Sequence, residues 1–276
     1  MEYAALFIWL VLCLVLGAAV HYVLAGAMER QAVRLLAAPG TIIRKFAMAQ
    51  SALFCGATLT NAKLYDLTER DVDFQAEGVS SVAKAVVPLM PLFACAAVMV
   101  ALNAMFAHPF RLDYSPPSLS SLDTSGLKGF LLGTWELLAQ VVRLGMGVDW
   151  GNPRLYVLFA LTFSLALGAA APLDRVREAV IGAALLAVGL AVVCGLSERR
   201  GFFGGSSPAL WALVLRRVVM TGSAAAFVMM VYGLAMALIL GMGLRVYEMV
   251  VHAAPRARSG GRTEKLPAEK KGRRAA

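Results

Sequence analysis

Arg44 and Lys45 stand back to back in an otherwise apolar stretch, Pro39 to Leu59, with Gln50 about one and a half turns further on. Ionisable groups inside a membrane segment are costly, and they mark functional sites or buried pairs by default. The other residue types that do chemistry are scattered. His21, His108 and His252 lie in different segments and give no i, i+4 pair for a metal. Cys13, Cys55, Cys95 and Cys194 all sit in apolar runs, without C-x-x-C spacing and without a histidine at ligand distance. They read as small hydrophobes packed in the membrane. No H-x-x-E-H and no Ser/Lys dyad is present, so neither a metal nor another cofactor is expected.

The charges need a carrier. The chain has 276 residues, 59% hydrophobic and 16% charged, with a mean hydropathy of +0.71. Soluble domains are nearer 45–50% apolar and about 25% charged, so this is an all-α polytopic membrane protein. Its net charge of +9 is mostly an end effect, because nine Lys/Arg stand against three Glu from Arg245 onward. A basic tail beside a last membrane helix is a topology signal that also contacts anionic lipid. Nucleic acid is not an expected partner. One membrane-embedded domain, 1–252, is followed by a basic disordered tail, 253–276.

About six transmembrane helices are expected. Tyr3 to Ala27 is a retained span, since Glu2 replaces a basic leader and no cleavage site follows. His21 inside it lines a polar cavity or, nearer its place at the helix end, snorkels or bonds a carbonyl. Pro39 suits the first turn of a second helix ending near Phe54. The acidic stretch from Leu59 to Gln75 alternates in part, predicting a short β-hairpin at the membrane boundary. Ala83 to Phe106 is the next span, with Pro88 and Pro91 either kinking it or sitting in its first turns. In Gly126 to Val148 the polar residues Glu136, Gln140 and Arg143 recur at i, i+4 and i+7. This fits an interfacial helix with Trp135 at headgroup depth, or an additional spanning helix whose stripe turns into the bundle. Leu155 to Leu173 and Ala179 to Leu196 read as an antiparallel pair across a short connection, the second with a small-residue face from Gly182 to Gly189. Val218 to Leu244 is the last span.

The run Pro39-Gly40-Thr41-Ile42-Ile43-Arg44-Lys45-Phe46-Ala47-Met48, followed by Gly56-Ala57-Thr58-Leu59, resembles the active-site helix of membrane-embedded zinc metallopeptidases of the site-2-protease-like class. In many of these a P-G lead enters H-E-x-x-H, and a glycine ends the helix before strands. On that pattern Arg44 and Met48 take the positions of the two zinc-binding histidines, and Lys45 that of the general-base glutamate. Val87-Pro88-Leu89 is similar to the segment opening the family's next helix. Ala171-Pro172-Leu173-Asp174 is similar to a later segment whose acidic residue supplies a third ligand. The signature itself is absent. Arginine stays protonated and cannot hold a cation, and two adjacent positive charges repel Zn²⁺.

The resemblance implies a pseudoprotease with no catalytic residues, which binds a membrane-protein partner without cutting it. Arg44, Lys45 and Met48 are then vestigial positions. Either the two cations snorkel from near a helix start, or they pair inside the bundle. Asp174 is the partner the resemblance nominates, and Glu136 the one from the polar stripe. The alternative is a transporter or channel component with Arg44, Lys45 and Asp174 on a polar path. An enzyme built on Asp174 and His21 is the third reading. A bacterial inner membrane with a cytoplasmic tail is the expected location.

Overall fold

Two ion pairs mark the ends of the molecule. In the computed structural model, Glu2 at the start of α1 (Glu2–Leu24) pairs with Arg216 near the start of α8 (Leu210–Ala253). At the far end Arg30 pairs with Glu248 of α8. About 48 Å of α8 separates Arg216 from Glu248 at 1.5 Å per residue. That is close to the ~40–45 Å of a bilayer with its headgroups. The structure describes residues 2–24, 30–61, 73–75, 81–106, 117, 119, 121, 124–147, 151–171, 175–198 and 210–253.

α1 and α8 run side by side in the same direction. The Trp9 indole N–H donates to the Ser223 carbonyl at 3.3 Å, and its ring lies 4.4 Å from that of Phe227. Deeper along the pair Gly17 touches Met230, and Gly241 meets Val23. α4 (Met90–Met105), α6 (Pro153–Ala169) and α7 (Val176–Glu198) pack on this pair, and α2 (Gln31–Phe54) packs in turn on α6 and α4. α3 (Ser81–Val86) runs through a 3₁₀ turn into α4, with Pro88 in that turn and Pro91 in the first turn of α4. Both prolines therefore lose only N–H groups that a helix start leaves unbonded.

This is an all-α membrane protein. Among the described residues, four helices are long and apolar enough to cross: Glu2–Leu24, Lys84–Met105, Val176–Leu196 and Val214–Val250. α2 has 24 residues but carries the interior charges, and α6 is shorter at 17. The expected hairpin is present as β1 (Thr58–Asn61) paired antiparallel with β2 (Asp73–Gln75), Leu59 opposite Phe74. Gly56, at φ +78°, makes the turn out of α2 in a conformation that favours glycine.

Three expectations are corrected, and one of two alternatives is removed. Pro39 lies inside α2, whose first residue is Gln31, and does not begin a helix. α6 and α7 are not packed together as an antiparallel pair: α6 packs chiefly on α2, α4 and α8, whereas α7 packs chiefly on α1 and α3. α5 (Thr124–Met146) does not turn its polar stripe into the bundle. Glu136, Gln140 and Arg143 are all exposed, and so is Trp135. α5 is held instead by its other face, where the Tyr232 hydroxyl of α8 donates to the Val141 carbonyl at 2.7 Å. Lastly, α8 extends beyond the last span expected at Val218 to Leu244, running from Leu210 to Ala253. Residues 254–276 lie outside those described.

Candidate functional site

The site is built where α2 crosses α6. A proline inside a helix has no N–H to give, and its ring crowds the carbonyl four residues back. α2 exploits the disturbance. The next N–H, that of Gly40, donates at 2.9 Å to the Ser164 hydroxyl of α6. Thr41, one residue on, turns its hydroxyl back to the Ala37 carbonyl at 3.0 Å. The two backbones meet here with no side chain between them. A Cβ built on Gly40 would lie 1.8 Å from the Ser164 carbonyl oxygen, and one on Gly168 would lie 2.2 Å from that of Gly40. Ser164 and Gly168 are four residues apart on one face of α6, the small-x-x-x-small spacing that lets membrane helices approach closely.

One turn beyond this contact is Arg44. α6 ends at Ala169, and the carbonyls of a last helical turn have no intrahelical donor. The Arg44 guanidinium supplies one, donating to the Gly168 carbonyl at 3.3 Å and to the Ala170 carbonyl at 2.6 Å. A cation at the negative end of a helix is also favoured by the helix dipole. This end of α6 is deep in the molecule, because Ala170 packs against Gly17 of α1, itself in contact with Met230 near the middle of α8. Arg44 is 7% exposed, Lys45 1% and Met48 not at all.

Burial at this depth removes the snorkelling reading. Arg44 begins thirteen residues beyond Gln31, about 20 Å along the axis, farther than its side chain reaches. Snorkelling requires Pro39 to be a helix start, and the helix begins eight residues earlier.

The other expected partners fall in different places. Glu136 is exposed on α5, which packs on α8 and not on α2. His21 is half-buried in the last turn of α1, one turn from Gly17 and on the same face. Asp174 lies outside the described residues. Cys95 of α4 is fully buried within electrostatic reach of the Arg44 guanidinium. No disulfide links the cysteines; Cys13, Cys95 and Cys194 are buried and Cys55 is half-buried.

Chemically, the arrangement is a staple. The i, i+4 pair that would face a metal in H-E-x-x-H is here a guanidinium committed to two carbonyls and a buried thioether. Zinc does not fit this donor set. Sequence reasoning missed Ser164 and Gly168. Their signal was the S-x-x-x-G spacing opposite a second apolar segment containing Pro-Gly. No protein-family model, curated protein or solved structure matches the chain.

Proposed function

We propose that this is a non-catalytic membrane protein that keeps a metallopeptidase-like helix frame, has given up the metal chemistry, and works by binding a membrane-protein partner. One observation carries the reading: the side chain at the first ligand position, Arg44, is spent on the α6 carbonyls. A residue recruited to close a helix end cannot at the same time hold a cation or activate water. The reading places the chain in a bacterial inner membrane with its basic tail on the cytoplasmic side, in contact with anionic lipid.

Metal analysis tests it. The full chain, purified in detergent with zinc present throughout, is expected to carry well under 0.1 zinc per molecule. Arg44→His is expected to leave that value unchanged, since one imidazole beside Lys45 makes no site. Stoichiometric zinc in the unaltered protein would sink the proposal.

A second reading is favoured by the end of α6 inside the bundle. Interrupted membrane helices place carbonyls and helix termini around transported ions and polar solutes. Under that reading Arg44, Lys45 and Asp174 line a polar path. Lys45→Ala is then expected to change uptake or conductance in proteoliposomes severalfold. Equal flux for protein-containing and empty vesicles, across inorganic ions and small organic solutes, counts against it.

A further inference from the structure

We infer that the cleft between α2, α4 and α8 is a binding site for one phospholipid, its phosphate on Arg217 and an acyl chain lying inward along α4. The inference goes beyond the reading above, and holds whether the protein binds, carries or cuts. The cleft has a volume of 820 Å³. Its lining changes from one end to the other. Arg217 stands near the outer end, beside Arg216 of the pair that marks the end of the molecule, with Thr221 one turn inward of it and Gln50 and Ser51 on the α2 wall. Val214, Val218 and Phe54 are the apolar residues around it, and the α4 wall, Phe93 and Ala97 among its residues, is apolar along its length.

Arg216 and Arg217 are adjacent but do different things. A step of one residue turns about 100° around a helix, so their side chains leave α8 in different directions. Arg216 is neutralised by Glu2, whereas Arg217 opens on the cleft and, among the described residues, has no carboxylate partner. A guanidinium takes a phosphate through two parallel N–H bonds, and the Gln50 amide and Thr221 hydroxyl stand beside it as further donors.

The gradient decides the occupant. From Met90 to Val100 the α4 wall of the cleft runs for about 15 Å, apolar throughout. A polar head at one end and a hydrocarbon tail beyond is the pattern of a lipid. An apolar helix of another protein would fit the inner walls as well, but Arg217, without a carboxylate partner among the described residues, calls for an anion, and a phospholipid carries one at headgroup level. The small side chains of Ala94 and Ala97 and the bare Gly222 keep the floor low enough for a chain to lie in it.

Native mass spectrometry of the delipidated full chain tests this, with dioleoyl phosphatidylglycerol added in increments. A single lipid is expected to bind first and tightest. Its apparent affinity should fall at least fivefold in Arg217→Ala, and by a similar factor in Ala97→Phe, which fills the tail channel. Arg143→Ala, at an exposed cation on α5, should bind as the unaltered chain does. Dioleoylglycerol, which has the tails without the phosphate, should bind at least fivefold more weakly. A photoreactive acyl chain should label residues 47–54 and 90–100 in preference to the rest of the lipid-facing surface, which keeps the test decisive if Ala97→Phe does not fold. Equal first-lipid affinity in Arg217→Ala, dioleoylglycerol binding as well as the phospholipid, label spread evenly over the surface, or a co-purifying polypeptide in the cleft would each overturn it.

Discussion

Gly40→Ala is expected to destabilise the protein by about 3 kcal/mol or more, at the upper end of what overpacking costs. The added methyl would sit 1.8 Å from the Ser164 carbonyl oxygen, a backbone atom that cannot rotate away. Relief requires α2 and α6 to move apart. Separation breaks the Gly40–Ser164 hydrogen bond and draws Arg44 off the α6 carbonyls. One methyl group therefore acts on every polar contact of the crossing. Thermal or denaturant unfolding in detergent measures the effect, with Gly189→Ala as the control. Gly189 is exposed on α7, and a Cβ there would meet nothing within 4 Å, so alanine should be neutral or slightly stabilising through helix propensity. Equal stability of the two variants would mean that the helices do not touch at Gly40.

Arg44→Met, close in size and uncharged, is expected to cost about 2–4 kcal/mol. Two effects oppose each other. Removing the guanidinium recovers the cost of burying a charge, which is why replacing a buried ion pair by apolar groups is often neutral. The carbonyls of Gly168 and Ala170, however, belong to the backbone and cannot be replaced. Left in an apolar interior without a donor, each costs about 1–3 kcal/mol, and the negative end of α6 loses its countercharge. The second effect wins. Arg44→Lys should recover part of the loss, since an ammonium reaches as a single point and not as a fork. The same unfolding measurement decides, with Arg143→Met on the exposed face of α5 expected within about 0.5 kcal/mol of the unaltered protein. A stability gain in Arg44→Met would show that the cation is retained for a function at the expense of the fold.

Much of the architecture is legible from hydropathy alone, because an apolar run long enough to cross has few alternatives. α1, the α3–α4 helix and α8 are read in this way, and alternation alone identifies the β1–β2 pair. The failures share a cause, which is that local preference was overruled by a partner distant in sequence. Pro39 prefers a helix start, yet Ser164, 125 positions later, accepts the neighbouring N–H and lets α2 run through. The short connection from α6 to α7 suggests a hairpin, but α6 is drawn to α2 by Ser164 and Gly168, and α7 to α3 by Gly182, whose Cβ would meet the Ala85 carbonyl at 2.2 Å. The α5 stripe gives the right periodicity without saying which way it faces. In the candidate site, the sequence singles out Arg44 and Lys45 as unusual. It offers no means of seeing that the groups awaiting Arg44 are carbonyls, because every residue has one.

The end of α6 inside the bundle has a consequence for how the chain is made. During synthesis α2 emerges first, carrying two charges that each add roughly 2.5–3.5 kcal/mol to the insertion of a helix centre. The carbonyls that receive Arg44 follow more than a hundred residues later. At ~5–20 residues per second, α2 waits roughly 6–25 s for its counterpart. For that interval it is a poor membrane segment, because the carbonyls that receive Arg44 are not yet made. α6, too short and too abruptly ended to settle alone, arrives as the piece that completes it. Each is marginal as an inserted segment, and the order of translation makes the earlier one depend on the later.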